Sequence, residues 1–98
     1  GMVASLKQAM PLHHGCIASL DVGATQRAML QYLGNITTHT QTLLVCDLLL
    51  VQGERAAKLV EGETTWIMLW EGNRKGVKSE PFRLYQRIEQ IAQRSAIP

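Results

Sequence analysis

The stretch from Leu59 to Gly76, LVEGETTWIMLWEGNRKG, constrains the fold more than any other part of this 98-residue chain. At its centre, every residue from Trp66 to Trp70 is apolar. In a strand, alternate side chains point to opposite sides, so both faces of this segment would be apolar, as in a central strand or at an oligomer interface. In a helix, Trp66 and Trp70 would lie one turn apart on the same face. The segment therefore predicts either a β-hairpin that turns at Glu61-Gly62-Glu63, in a sheet-based domain, or a helix, in a helical domain.

The composition is that of one small globular domain. Hydrophobic residues make up 46% of the chain and charged residues 18%, which is too apolar for a disordered protein. We expect residues 2–98 to form a single domain, with Gly1 a remnant of tag removal. The net charge of +2 is too small to indicate a nucleic-acid partner. The sequence shows neither a secretory signal nor an apolar run approaching the roughly 18 residues of a membrane span, so we expect a cytoplasmic protein without a membrane partner.

Few residues are candidates for catalysis or metal binding. Cys16 and Cys46 lie in apolar runs and are predicted to be buried free thiols, because a disulfide would require an oxidising compartment. His13 and His14 are adjacent and would point to opposite sides of a strand, so they do not form a metal site. Asp47 interrupts an apolar run and is predicted to face solvent rather than to be buried with a partner. We therefore predict no enzyme activity, no metal and no cofactor.

Local patterns predict the following elements along the first half of the chain. A helix is expected from Val3 to Met10, ended by Pro11. The apolar run Gly15–Leu20 has the length of a strand. The stretch ATQRAMLQYLG that follows favours a helix that stops at Gly34-Asn35, with a second strand pairing with the first as the alternative. From Thr42 to Val51 the chain is apolar on nearly every side, and periodicity alone leaves helix and strand open.

The second half contains signals of both kinds. Arg55–Leu59 favours a helix, whereas the spacing of Gly53, Gly62 and Gly72 favours a β-meander. A C-terminal helix is predicted over about residues 79–95, with Ser79 as its N-cap. The fold predicted from these patterns is α+β, with a small antiparallel sheet, a meander built between residues 42 and 71, flanked by helices. A sheet this small has edges to protect, so a homodimer is expected.

Two groups of residues are candidates for contacts with a partner. If residues 66–70 form a strand, one of its faces presents a predicted interface, for which tryptophan is a favoured residue; packing within the core is the alternative. A cluster of cations predicts a basic patch for an acidic partner, with an ordinary solvated surface as the alternative. The interface residues are Trp66, Met68 and Trp70, and the basic patch is Arg74, Lys75, Lys78, Arg83 and Arg87.

The segments GCIASLDVG, Gly15–Gly23, and LVEGETTWIMLWEGN, Leu59–Asn73, resemble those of the roadblock family. This resemblance implies an order of helix, two strands, long helix, strand meander and final helix. It also implies a scaffolding or regulatory protein, with a small GTPase as one partner. The function that we predict is accordingly a small non-catalytic interaction domain.

A rival resemblance covers RAAKLVEGETTWIMLWEGNRKG, residues 55–76, which is similar to the helix-turn-helix of Cro- or Fis-like proteins. It implies a transcriptional regulator whose second helix binds DNA. Base edges are read by polar side chains, whereas the outward positions of this helix would hold no Arg, Lys, Asn or Gln. DNA binding is therefore the less favoured function, and it is kept as the alternative.

Overall fold

The computed structural model describes residues 1–40, 46–63, 65–73 and 81–88. Within these ranges the chain forms three helices and four strands, connected in the order helix, strand, helix, strand, helix, strand, strand. The helices are α1 (Met2–Ala9), α2 (Ala24–Gly34) and α3 (Glu54–Glu61). The strands are β1 (Ile17–Leu20), β2 (Leu48–Gln52), β3 (Trp66–Gly72) and β4 (Phe82–Arg87).

The predicted helices and strand of the first half are confirmed, and local signals account for their ends. Helix α1 ends just before Pro11, whose ring is incompatible with a continuing helix. Helix α2 ends where Asn35 adopts the left-handed conformation (φ 54°) and its N–H bonds back to the carbonyl of Gln31. Helix α3 begins after Gly53, whose φ of 97° is readily adopted only by glycine.

The four strands form one mixed sheet in the order β1-β2-β4-β3. Strands β1 and β2 are parallel and are connected through α2, whereas β4 runs antiparallel to both of its neighbours. The predicted α+β class is confirmed, but the sheet is neither wholly antiparallel nor a simple meander. The reason is that β4 turns back after β3 and lies between β3 and β2.

The C-terminal helix predicted from residue 79 is corrected by β4, because Phe82–Arg87 is a central strand. Its backbone pairs with β2 on one side and β3 on the other. Phe82 and Leu84 point to one face and Tyr85 to the other, and all three are buried. This two-sided pairing outweighs the helical spacing of Leu84 and Ile88. Residues 89–95 of the predicted helix lie outside the described residues.

The core has two layers, one on each face of the sheet. The α1/α2 face carries the larger apolar cluster, in which Leu6 and Leu30 from the helices cover Leu50 and Leu84 of the sheet. The α3 face carries the second cluster, in which small helix residues such as Ala57 lie among the buried side chains. Both faces of β2 are therefore covered, which explains its unbroken apolar sequence and settles the ambiguity of residues 48–51 in favour of a strand.

The stretch that begins at Leu59 forms the end of helix α3 followed by strand β3. Residues Glu61, Gly62 and Glu63 connect α3 to β3, so the hairpin expected to turn at these three residues is wrong. The hairpin partner of β3 is β4. The recognition helix of the helix-turn-helix interpretation is also not formed, because Trp66–Gly72 is a strand. The second strand that the roadblock resemblance implies after Leu20 is replaced by α2.

Candidate interaction edge and its surroundings

The two edges of the sheet differ. The outer edge of β1 is covered by the segment around His39, whose backbone exchanges two hydrogen bonds of 2.8 Å with Ser19 and Ile17. The outer edge of β3 pairs with no other strand among residues 1–40, 46–63, 65–73 and 81–88. Unpaired edges offer backbone donors and acceptors to a further strand. In the described part of the chain, β3 is therefore the edge open to pairing.

Strand β3 also exposes apolar side chains. Ile67 is 46% exposed on the α1/α2 side and Met68 is 50% exposed on the α3 side. Between Trp66 and Trp70 the strand carries no charged residue that would discourage pairing with another strand. The strand thus combines an open backbone edge with apolar surface on both sides.

A β-bulge divides the three residues of the predicted interface between the two faces. Met68 lies opposite Tyr85, but Trp70 lies opposite the next residue back, Leu84, so Leu69 is the extra residue. Trp66 therefore packs against the α3-face cluster and Trp70 against the α1/α2-face cluster. The prediction that all three side chains share one face is wrong, because one extra residue inverts the alternation.

Trp70 is bound to its own domain. Its indole N–H donates a 2.9 Å hydrogen bond to the hydroxyl of Ser5 in α1, and its ring packs on the core beneath that helix. Gly72 makes room for the ring, because a β-carbon at this position would overlap it. Trp70 therefore packs against the core of its own domain, which is the alternative to an interface role that the sequence left open. Neither Ser5 nor Gly72 carries a sequence signal that would have identified this contact.

The basic patch is described only in part, since Arg74, Lys75 and Lys78 lie outside the described residues. Arg83 lies between two carboxylates, Glu71 and Glu54, the latter at 3.0 Å. The hydrogen bonds and charges of these carboxylates raise the pKa of Arg83 above its usual range, and the hydrogen bond and charge of Arg83 lower the pKa of Glu54 below its ordinary value.

The second described cation of the patch, Arg87, is also held within the domain. Its guanidinium lies 4.4 Å from the centre of the Trp66 ring and donates a 3.0 Å hydrogen bond to the carbonyl of Cys46. Arg83 and Arg87 thus stabilise the α3 face of the hairpin. The role of the patch toward an acidic partner stays a prediction for the three residues outside the described ranges.

The two cysteines form a disulfide, which corrects the prediction of free thiols. Cys16 precedes β1 and Cys46 precedes β2, and parallel pairing brings these two strand starts together with their Cα atoms 4.8 Å apart. Asp47 is also corrected, because it is only 7% exposed and accepts a 2.8 Å hydrogen bond from the N–H of Gly15. The two contacts join residues 30 and 32 positions apart and depend on the register of β1 and β2, which no local pattern contains.

An open cavity of about 490 Å³ lies beside the disulfide, between the C-terminal ends of α1 and α2 and the loop that leads into β1. Lys7, His14 and Asn35 contribute polar groups to its wall, and Cys16 forms part of the same wall. Within the described ranges, no group of three or more His, Cys, Asp or Glu side chains is arranged to hold a metal ion.

Comparisons of this sequence and structure with known protein families, with curated proteins and with solved structures found no match. Among the described residues, no helix is long and apolar enough to cross a membrane. The function must therefore be argued from the site itself.

Proposed function

We propose that this chain is a non-catalytic protein–protein interaction domain that pairs with a second copy of itself through the outer edge of β3. One observation carries the proposal: within the described residues β3 is an unpaired sheet edge with half-exposed apolar side chains, Ile67 and Met68, on its two sides. Strand addition to such an edge combines backbone hydrogen bonds with side-chain burial. The proposal keeps Trp66 and Met68 of the predicted interface and adds Ile67.

A second copy suits this edge because β3 is self-complementary. Two β3 strands related by a twofold axis run antiparallel, so the apolar segment 66–70 of one strand lies against the same segment of the other. No like charges meet at the centre of that contact. Glu71, near the end of β3, is already bonded to Arg83 of its own copy. A twofold contact also closes on itself, because the β3 edge of each copy is used up by the other.

The size of the contact predicts a weak dimer. Burying the exposed halves of Ile67 and Met68 contributes about 1 kcal/mol for each side chain, or about 4 kcal/mol for two copies. The backbone hydrogen bonds between the two strands contribute about 1 kcal/mol each. Association itself costs at least about 4 kcal/mol. With about six such hydrogen bonds, these terms leave a Kd on the order of 10 to 100 μM.

Sedimentation equilibrium tests this proposal at protein concentrations from a tenth to ten times the expected Kd. The variant Met68→Lys places a charge on the open edge and is expected to abolish the dimer while the far-UV circular dichroism stays unchanged. Leu12→Lys is the matched control, because Leu12 is 97% exposed on the loop after α1, and its dimer is expected to persist. A wild-type protein that stays monomeric over this range would overturn self-pairing and leave the edge to a strand of a different protein.

Two further parts of the proposal rest on the sequence. Regulation of a small GTPase is the role that the roadblock resemblance suggests for such a dimer, and it rests on that analogy alone. The cytoplasm is the proposed compartment. Disulfides are rare in that compartment, and those present are usually transient or redox-responsive, so this placement predicts that the Cys16–Cys46 bond is not permanently oxidised in the cell.

A further inference from the structure

Another open cavity, of about 580 Å³, lies between helices α1 and α2 and is called here the α1/α2 groove. Val3 and Lys7, one turn apart on α1, form part of one side. Met29 and Leu33, one turn apart on α2, form the other side. The volume lies in the range of pockets that hold small molecules, and the space between helices is a common place for such pockets.

The α1/α2 groove reaches from solvent to the core. Met2 and Val3 are partly buried and pack on the α1/α2-face cluster, whereas Leu33 on the other side is 62% exposed. The two helices touch at Gly34, the last residue of α2, where an added β-carbon would lie 2.5 Å from a methyl group of Val3. This close approach holds the helices together beside the groove. A ligand in the groove would cover apolar surface that the packing of the two helices leaves exposed.

We propose that the α1/α2 groove binds a free single-chain fatty acid, with its hydrocarbon chain between the helices and its carboxylate at Lys7. The described wall contains two methionines, Met2 and Met29, whose flexible thioether side chains adapt to an unbranched chain. No aromatic side chain lines the described wall, so it offers no stacking surface to a planar ring. The wall is made by α1, α2 and Asn73, which follows β3, so this site does not use the β3 edge.

The charges of the wall favour an anionic head group. The described wall contains no Asp or Glu, and Lys7 forms no ion pair with any described residue. The terminal amine of Gly1 is also positive, but Gly1 is interpreted as a remnant of tag removal, so the assignment rests on Lys7. Lysine buries its aliphatic stem along apolar surface while its ammonium group stays in water. The carboxylate of the ligand would therefore lie at the mouth of the groove, beside the exposed Lys7.

Isothermal titration calorimetry with hexanoate, octanoate, decanoate and dodecanoate, each below its critical micelle concentration, tests the proposal. We expect one site per chain and a Kd that falls about four-fold for each added methylene group, the usual effect of burying one, until the chain is longer than the groove. A Kd that does not depend on chain length, or no binding at millimolar concentrations, would overturn the proposal. Binding to phospholipid vesicles without binding of the free acids would also overturn it, since the ligand would then be a membrane surface.

NMR of the methionine methyl groups locates the bound ligand, because the four methionines are distributed over the chain. Met2 and Met29 line the groove, whereas Met68 lies on the α3 side of β3 and is half exposed. We expect octanoate to shift the signals of Met2 and Met29 and to leave that of Met68 unchanged. Shifts that are largest at Met68 would place the ligand on the β3 edge and overturn the assignment of the groove.

Variants at two similarly exposed leucines test the same assignment by affinity. Leu33→Glu places a carboxylate in the wall and is expected to weaken octanoate binding about ten-fold or more. Leu59→Glu is the matched control, because Leu59 is 67% exposed in α3 on the opposite face of the sheet, and it should bind as the wild type does. Met68→Lys, the variant designed to abolish the β3 dimer, should also keep its affinity. Equal weakening in Leu33→Glu and Leu59→Glu, or loss of binding in Met68→Lys, would overturn a site formed by α1 and α2 of one copy.

Replacement of Lys7 tests the position of the head group. The quantity measured is the ratio of the affinity for octanoate to the affinity for 1-octanol, which has the same chain without the charge. We expect Lys7→Met to lower this ratio about two- to five-fold, the usual strength of one partly screened charge pair. Lys58→Met, on the opposite face of the sheet in α3, is the matched control and should leave the ratio unchanged. An equal ratio in all three proteins would overturn the placement of a carboxylate at Lys7.

Discussion

Reduction of the Cys16–Cys46 bond should lower the free energy of unfolding by about 3.6 kcal/mol. The bond closes a loop across a sequence separation of 30 residues. In the chain-entropy description, the stabilisation grows with the logarithm of this loop length, and 30 residues correspond to about 12 cal/mol/K, or about 3.6 kcal/mol at 25 °C. Small domains have total stabilities of about 5–15 kcal/mol, so the loss would be a large fraction of the whole.

Urea unfolding of the oxidised and the reduced protein measures this loss. Tryptophan fluorescence reports on β3, which contains both Trp66 and Trp70, and far-UV circular dichroism reports on the whole chain. With an m-value of about 1.5 kcal/mol/M, the midpoint is expected to fall by about 2.4 M on reduction. The slope should also rise, because the reduced unfolded chain exposes more surface.

The control for this prediction is the variant in which both cysteines are alanine. Its midpoint should not respond to reductant and should lie near that of the reduced wild-type protein. A change of less than about 1 kcal/mol on reduction would refute the reasoning, because the loop-closure entropy would then be offset by structure that persists in the reduced unfolded chain.

Two further predictions concern the core and the ion pairs. Leu50→Ala should cost about 2–5 kcal/mol in urea unfolding, because Leu50 is fully buried in the α1/α2-face cluster; Leu12→Ala, at an exposed position, should cost less than about 0.5 kcal/mol. The pKa of Glu54, followed by NMR of its carboxyl carbon, should lie below 4.5 and should return toward that value in Arg83→Met. Because the folded-state pKa is lowered, the stabilisation is present above the unfolded-state pKa and is lost as pH falls through the folded-state pKa. An unchanged pKa in Arg83→Met would contradict this assignment of the shift.

The structural features that were predicted correctly are those whose sequence signal lies within a few residues. Pro11 marks the end of α1, and Gly34-Asn35 marks the end of α2, because both signals act on the backbone conformation of their own position. The α+β class followed from the presence of such helices beside short apolar runs. At residues 55–59 the helix propensities agree with the helix that forms, whereas the glycine spacing, which favoured a meander, does not.

The wrong predictions concern residues whose conformation is set by pairing with segments far away in the chain. Phe82–Arg87 carries a helical spacing, but as a central strand it gains backbone pairing on both sides and buries Phe82, Leu84 and Tyr85. The candidate site shows the same limit. Trp66 and Met68 were placed on one side of β3 correctly, but the bulge at Leu69 moved Trp70 to the other side.

The sequence by itself determined where α1 and α2 end, and that β2 and β3 have two apolar faces. Only the tertiary structure decided that β3 lies at an open edge while β2 lies at the centre, although both are equally apolar in sequence. It also decided that Cys16 meets Cys46 and that Arg83 meets Glu54 and Glu71. The physical reason is that turns and helix ends depend on the conformation of neighbouring residues, whereas strand order and register depend on the packing of the whole chain.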